Sequence, residues 1–207
     1  MPPTVHRETP HAVPVPSRSA EVVQNERMSV RTPDPNPGWL SEFALDETRG
    51  RVPILYVEAV PVRLDPHGQV EHLGVLLRGS STTGELTRTI VSGRVLHGES
   101  VRDALLRNLE KDLGPSAFPQ LPPSLVPVTV AEYFPFPGVA PLVDPRQHAV
   151  ALVYVVPVSG ECVPRQDALE LTWLTPSEAL DPEVLDDFEG GRGLLVKQAL
   201  AHLGALA

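Results

Sequence analysis

A loop and a short helix with defined ends, between Gly93 and Gly114, constrain the fold of this chain more than any other feature. The segment reads GRVLHGESVRDALLRNLEKDLG. Ser100 followed by Asp103 is an S-x-x-D capping box, which predicts that a helix begins directly after the serine. Apolar residues then recur at the spacing of one buried helical face. Because Gly114 suits an αL cap and Pro115 cannot continue a helix, the helix must end just before this pair.

The spacing within this segment resembles the Nudix box, whose pattern is Gly, five residues, Glu, seven residues and then R-E-U-x-E-E-x-G-U, where U is apolar. Gly93, Glu99, Arg107, Leu109 and Gly114 match that pattern at the right distances along the chain. The resemblance implies an α/β fold, a Nudix-like α/β/α sandwich with a mixed β-sheet. It also implies a family activity, the hydrolysis of nucleoside-diphosphate-linked compounds. The whole chain is similar to an actinobacterial group of Nudix-related proteins.

The acidic positions of the box carry different residues in this chain. Asn108 stands where the family has the Glu after Arg, and Lys111 and Asp112 stand where it has Glu-Glu. These three positions lie on one helical face. The resemblance implies that carboxylates on this face hold Mg²⁺ or Mn²⁺. Since the face offers one amide, one cation and one acid, the sequence predicts a degenerate metal site.

One hypothesis for this face is a pyrophosphohydrolase. The resemblance implies that Glu99 and Asp112 then hold Mg²⁺ or Mn²⁺ or activate water, and that Arg107 orients the acids. A hard divalent cation needs several oxygen ligands, so a further acid would have to come from elsewhere. No spacing argument separates the four candidates, which are Glu132, Asp144, Asp167 and Glu170.

A second hypothesis is a protein that binds a phosphorylated small molecule of the nucleoside-diphosphate type without a metal cofactor. Lys111 stands at a position of the metal-binding face, and lysine contacts phosphate as a compact positive charge. Arg88 on the preceding strand and Arg94 and His97 on the box loop are the other candidate ligand-binding residues. Such a protein would bind its ligand without hydrolysing it, as a sensor or regulatory module.

A third interpretation treats the charged residues as a solvated helix face. Arg107 has i, i+4 spacing to both Asp103 and Lys111, which is typical of exposed charged positions on a helix. The chain would then be a protein-interaction module on a Nudix scaffold. The sequence leaves the three interpretations open.

Composition narrows the class of protein. At 207 residues with 42% apolar residues, the chain suits one domain with a sizeable core. The formal net charge of −9 argues against a general binder of nucleic acid or anionic membranes. The single Cys162 excludes an intramolecular disulfide and a cysteine-based zinc cluster. No apolar run is long enough to span a membrane and no secretory signal is recognisable, so we predict a cytoplasmic location. The resemblance is compatible with a homodimer.

Two regions follow from the distribution of proline and apolar residues. Residues 1–37 are proline-rich with few large apolar residues, so we predict a disordered tail. Residues 38–207 form the predicted Nudix-like domain. A true start at Met28 is a further hypothesis.

Hydrophobic patterning predicts six strands and four helices. Trp39 and Phe43 are expected to share a helix face that covers the core, because they are four residues apart. Tyr133, Phe134 and Phe136 are expected to pack in the core or under a lid, with stacking on a nucleotide base as the alternative. The predicted strands cover 51–64, 70–78, 86–91, 128–134, 148–158 and 168–174, and the predicted helices cover 39–47, 101–113, 175–179 and 194–206.

Overall fold

The computed structural model describes residues 38–80, 83–164 and 168–205. The predicted tail, 1–37, and the candidate metal ligand Asp167 lie outside the described residues. The strands are β1 (Ile54–Leu64), β2 (Val70–Gly79), β3 (Leu86–Thr89), β4 (Val91–Arg94), β5 (Thr129–Tyr133), β6 (Ala149–Pro157) and β7 (Ala168–Leu174). The helices are α1 (Glu42–Arg49), α2 (Val101–Leu113), α3 (Pro176–Ala179), α4 (Pro182–Asp186) and α5 (Gly193–His202), with a 3₁₀ turn at Glu189–Gly191.

These strands form one mixed sheet. β1 lies parallel to β6, with Ile54 opposite Ala149, and the other strand pairs are antiparallel. The order along the main path is β3-β2-β1-β6-β5, while β4 pairs with β1 and β7 pairs with β2. The β1–β2 hairpin is paired only near its turn, so the two strands diverge beyond Val62 and Leu73.

Residues 86–94 fill the gap between the diverging strands. β3 pairs with β2, and β4 then pairs with β1. The sequence predicts one strand over 86–91; the structure has two short strands because the segment changes partner at the buried Ile90. The crossover places Gly93 opposite Val57 and delivers the box loop against the middle of β1.

Helices cover both faces of the sheet, and this confirms the predicted α/β/α sandwich. Alternate residues of a strand point to opposite faces. Val57 of β1 therefore packs in one core cluster together with Leu105 and Leu109 of α2. Val60 packs in the other cluster, together with Leu195 of α5.

The box helix α2 begins and ends where the sequence predicts. The Ser100 hydroxyl oxygen accepts a hydrogen bond from the Asp103 amide at 3.1 Å. Gly114 has a φ of 86°, and its amide donates to the Glu110 carbonyl at 2.9 Å. Positive φ is costly for residues with a Cβ, so the glycine provides the stop that the box requires.

The first helix starts later than predicted. The prediction that Trp39 and Phe43 share a face that covers the core is also wrong. Ser41 is the N-cap of α1, since its hydroxyl accepts a hydrogen bond from the Ala44 amide at 3.3 Å. Trp39 precedes the helix and does not share a face with Phe43. The two side chains are 52% and 81% exposed, so neither covers the core. Leu45 is the buried residue of α1.

The predicted aromatic cluster divides between core and surface. Tyr133 is buried, Phe134 stacks on His148 with 4.5 Å between ring centroids, and Phe136 is exposed.

None of the helices among the described residues has the length and apolar character needed to cross a bilayer.

Candidate functional site

A cavity of about 510 Å³ lies beside the box loop, where α2 approaches β1, β2 and β4. We call it the cationic cavity. Among the residues that the structure describes, its wall contains no carboxylate, although the chain as a whole is acidic. Such a concentration of one sign of charge attracts anionic ligands. The cationic side chains are Arg78, Arg94, Arg107, Lys111, Arg146 and Arg192, and Trp39 and Tyr56 contribute aromatic rings.

Lys111 occupies the helix face that the Nudix resemblance assigns to metal binding. Its ammonium donates a hydrogen bond to the Ser92 carbonyl at 3.0 Å and lies 3.3 Å from a carboxylate oxygen of Asp112. Asp112 is buried, and burial raises its pKa while the neighbouring Lys111 charge opposes that shift. The Lys111 ammonium therefore lies against the Ser92 and Asp112 oxygen atoms, where a metal ion would otherwise bind.

Glu99 and Arg107 brace the box loop against α2. Both nitrogens Nε and Nη2 of Arg107 donate to the Glu99 carboxylate, at 2.7 and 2.8 Å. The same carboxylate accepts from the Leu96 amide, and Arg107 also donates to the Arg94 carbonyl. Hydrogen bonding from Arg107 lowers the pKa of Glu99. The predicted pair is thus joined, with Arg107 in the cavity wall and Glu99 behind it.

Asn108 and Gly93 fit together where α2 meets β4. Asn108 is buried, and its Nδ2 donates to the Ala104 carbonyl at 2.8 Å. A Cβ at residue 93 would lie 1.8 Å from Asn108 Oδ1 and 2.3 Å from its Cγ. The glycine of the box is therefore required by close packing between the strand and the helix.

We expect Gly93→Ala to lower the free energy of unfolding by about 2–3 kcal/mol, because overpacking a rigid contact forces buried groups to move. Urea denaturation measures this change. The double variant Gly93→Ala/Asn108→Ala should recover part of the loss, since it removes the clashing amide. Gly79→Ala is the matched control, because its added Cβ would meet its nearest heavy atom only at 4.0 Å. Equal stabilities of Gly93→Ala and Gly79→Ala would contradict this packing.

Arg94 and Trp39 form the outer part of the cavity. Arg94 has no carboxylate partner among the described residues, and burial lowers its pKa. The guanidinium carbons of Arg94 and Arg107 lie 5.8 and 5.7 Å from the centroid of the Trp39 ring. These are cation–π distances, so the exposed indole is held beside two positive charges. Every other cation of this wall has an ion-pair partner among the described residues.

Other cations of the cavity wall come from outside the box, and each forms an ion pair with a carboxylate that lies behind the wall. Arg78 pairs with Glu189 at 2.9 Å. Arg146 binds the carboxylate of Asp144 through two nitrogens, each at 2.9 Å. Burial by itself would raise the pKa of Asp144, but the Arg146 hydrogen bonds outweigh it and lower that pKa. Sequence reasoning assigned none of these arginines to the site.

Arg192 is fixed by Glu58, a carboxylate buried in the middle of β1. Glu58 accepts hydrogen bonds from Arg192 Nε at 2.9 Å, from the Ser92 hydroxyl at 3.0 Å and from the Tyr133 hydroxyl at 2.6 Å. Burial lowers the pKa of Arg192, but the Glu58 charge reverses this and raises it. Burial, followed by the Glu58 charge, raises the pKa of Tyr133. A lone acid in the apolar run ILYVEAVPV was the sequence signal for this network, because a buried carboxylate needs partners.

Several predicted residues lie outside the wall of the cationic cavity. Arg88 forms an ion pair with Asp187, and His97 borders a separate small cavity near α1. Of the candidate ligand-binding residues, Arg94 and Lys111 are the two that the cavity brings together. Among the candidates for a further metal-binding acid, Glu132 on β5 and Glu170 on β7 are exposed, and Asp144 is engaged by Arg146.

The residues present do not fit a Nudix divalent-metal centre. No cluster of three or more His, Cys, Asp or Glu side chains with metal-binding geometry occurs in 38–80, 83–164 and 168–205. Both oxygens of Glu99 are occupied by Arg107, and the Lys111 ammonium lies against Asp112. A positive charge at that position repels a divalent cation. The described carboxylates at this face are therefore engaged by Arg107 and Lys111 rather than left open to a divalent ion.

A family model described as a domain of unknown function, DUF4916, matches residues 35–205. A crystal structure from Jonesia denitrificans, described as a possible asymmetric diadenosine tetraphosphate (Ap4A) hydrolase, is 56% identical in sequence and superimposes with a TM-score of 0.73. The match covers 76% of this chain and 98% of that one. The chain belongs to the DUF4916 family. The predicted Nudix resemblance is confirmed by the fold, which the chain shares with solved Nudix proteins.

More distant Nudix structures share the fold alone. The Nudix domain of Shewanella oneidensis NrtR, solved with ADP-ribose, is 17% identical with a TM-score of 0.53 and covers 79% of this chain and 99% of that one. The MutT protein of Methanosarcina mazei is 15% identical with the same TM-score, and covers 72% and 94%. No protein with a curated description matches the chain.

Proposed function

We propose that this Nudix protein binds a nucleotide-type ligand through its phosphates, using protein cations in place of a divalent metal ion. The observation that carries the proposal is the position of Lys111, whose ammonium occupies the metal-binding face and lines the cationic cavity. Lysine and arginine both bind phosphate oxygens, and arginine does so with a planar set of donors. Arg94, without a carboxylate partner among the described residues, adds a second available charge.

The cavity wall also suits the nucleoside part of such a ligand. Trp39 is half-exposed at the cavity mouth, and Tyr56 lies in the wall. Aromatic faces of this kind stack on bases. The NrtR Nudix domain binds ADP-ribose, a compound with one adenine and one diphosphate, which makes ADP-ribose a suitable first probe.

Calorimetric titration of ADP-ribose into the protein in EDTA tests the proposal. We expect binding in EDTA, with little change when Mg²⁺ replaces the chelator, because the protein supplies the positive charge. Binding that requires Mg²⁺ would contradict the proposal, and so would an absence of binding under both conditions.

The two lysines of the chain permit a residue-level test. Lys111 and Lys197 are the only lysines in the sequence, and Lys197 is exposed on α5, away from the cavity wall. Reductive methylation followed by peptide mass spectrometry reports the reactivity of each ammonium. We expect ADP-ribose to slow methylation of Lys111 and leave Lys197 unchanged. Equal rates at Lys111 with and without a saturating ligand would contradict direct contact.

Hydrolysis is the second candidate function, favoured by the 56% identity to the protein described as a possible Ap4A hydrolase. In that case Glu99, Arg107 and Asp112 would be the residues to test, with Mg²⁺ or Mn²⁺ as cofactor. Incubation of Ap4A and ADP-ribose with the protein and either ion, followed by separation of the products, distinguishes the two functions. Turnover that is lost in both Glu99→Gln and Asp112→Asn would establish the enzyme.

A further inference from the structure

The buried side-chain amide of Gln147 joins helix α1 to Tyr56 in the cavity wall and to Asp144 behind that wall. Gln147 is 2% exposed and lies just before β6. Its carbonyl oxygen accepts a hydrogen bond from Arg49 Nε of α1 at 2.9 Å. Its amide nitrogen, Nε2, donates to the Tyr56 hydroxyl and to an Asp144 carboxylate oxygen, both at 2.8 Å. The side chain therefore uses both ends of its amide.

The direction of every bond in this group is determined by chemistry. A guanidinium only donates, so the oxygen of Gln147 must face Arg49. The NH₂ end must then face Asp144, which as a carboxylate only accepts, and Tyr56. The Tyr56 oxygen is thus an acceptor from Gln147. Its own proton has no acceptor among the described residues, and Tyr56 lines the cationic cavity.

The same amide also supports Arg146. Asp144 receives one bond from Gln147, one from the Arg146 backbone amide and two from the Arg146 guanidinium, which lines the cavity. A carboxylate with several donors is held in one orientation. Gln147 thereby fixes both the position of Arg146 and the direction in which the Tyr56 hydroxyl donates its hydrogen bond.

We infer that Gln147 is a positioning residue that makes the Tyr56 hydroxyl a hydrogen-bond donor to a ligand phosphate and holds Arg146 beside it. The inference rests on the proposed function, because it concerns the same cavity. It assigns to the site a neutral donor that lies outside the Nudix box. Gln147 itself does not touch the ligand and acts through its two neighbours.

Gln147→Glu replaces one nitrogen by oxygen with almost no change of shape. The introduced carboxylate still accepts from Arg49, but it faces Asp144 with like charge and attracts the Tyr56 proton away from the cavity. We expect ADP-ribose affinity in EDTA to fall about tenfold or more, the usual effect of losing a hydrogen bond to a charged group. Gln198→Glu is the matched control, since Gln198 is exposed on α5. It adds the same charge and should leave the affinity unchanged.

Two further measurements separate positioning from general damage to the fold. Tyr56→Phe removes only the hydroxyl, and we expect it to weaken binding several-fold. In the Tyr56→Phe background, Gln147→Glu should cost clearly less than it does in the wild-type protein, because the two changes act on one hydrogen bond. The chain has three tyrosines, so fluorotyrosine labelling gives three ¹⁹F signals. ADP-ribose should shift the Tyr56 signal in wild-type protein and not in Gln147→Glu.

The outcomes are distinguishable. If wild-type protein binds no ADP-ribose in EDTA, the proposed function and this inference are both overturned. If wild-type protein binds and folded Gln147→Glu binds equally well, the inference alone is overturned. If Gln147→Glu does not fold, Tyr56→Phe decides: unchanged affinity and an unmoved Tyr56 ¹⁹F signal in wild-type protein overturn the inference.

Discussion

Replacing Lys111 by Glu is expected to weaken the binding of ADP-ribose in EDTA by about a hundredfold or more, because a phosphate contact is lost and a repulsive charge takes its place. A charge-assisted hydrogen bond contributes about 1.5–3 kcal/mol, and reversal of the charge adds to that loss. Calorimetric titration at fixed ionic strength measures the change. Lys197→Glu, on α5, is the control with the same change of charge.

The same variant should acquire affinity for Mg²⁺ or Mn²⁺. The introduced carboxylate would stand next to Asp112 and the Ser92 carbonyl, which are the oxygen atoms now facing the ammonium. Hard divalent cations bind such oxygen clusters. Lys111→Met separates the two effects, since it should lose ADP-ribose binding and gain no metal binding. Undiminished ADP-ribose binding by Lys111→Met in EDTA would show that the ammonium does not contact the ligand.

The largest effect on stability is expected for Glu58→Gln, at about 3–5 kcal/mol of unfolding free energy, because it leaves the buried Arg192 charge without its counterion. Apart from its contact with residue 58, Arg192 donates from Nη1 to the Glu189 carbonyl, and the Tyr133 ring lies 4.7 Å from its guanidinium carbon. Neither replaces a carboxylate. Urea denaturation monitored by Trp fluorescence measures the loss.

Two comparisons sharpen this experiment. Glu132→Gln makes the same chemical change at an exposed position of β5 and should shift stability by less than about 0.5 kcal/mol. Tyr133→Phe removes one of the donors to Glu58 and should cost about 1–3 kcal/mol, less than loss of the carboxylate. If Glu58→Gln and Glu132→Gln had equal stability, the ion pair with Arg192 would contribute nothing to the fold.

Local chemistry explains which parts of the fold could be predicted from sequence. α2 has a serine cap, a periodic apolar face and a glycine stop, all within one segment, and its bounds are those predicted. The helical spacing of Trp39 and Phe43 predicts too early a start for α1, whereas Ser41 supplies the actual cap. The change of strand partner at Ile90 depends on how far β1 and β2 diverge, which no local pattern records.

In the candidate site too, some residues could be predicted from local sequence, whereas others are placed by tertiary contacts. Lys111, Arg94 and Arg107 could be predicted because the box fixes their spacing, and the cavity brings them together. Arg146 and Arg192 come from a loop and from the turn before α5. Their places depend on tertiary contacts with Asp144 and Glu58. Gln147 carried no sequence signal, since a polar residue before a strand is usually exposed.

The pairing of Glu58 with Arg192 joins residues 134 positions apart along the chain. During synthesis, the box helix therefore leaves the ribosome before Arg192, the counterion of Glu58, has been made. Contacts of such large sequence separation must pay their loop-closure entropy before they stabilise anything, and they slow folding. We expect β1 to complete its packing late in synthesis, only after Arg192 has left the ribosome.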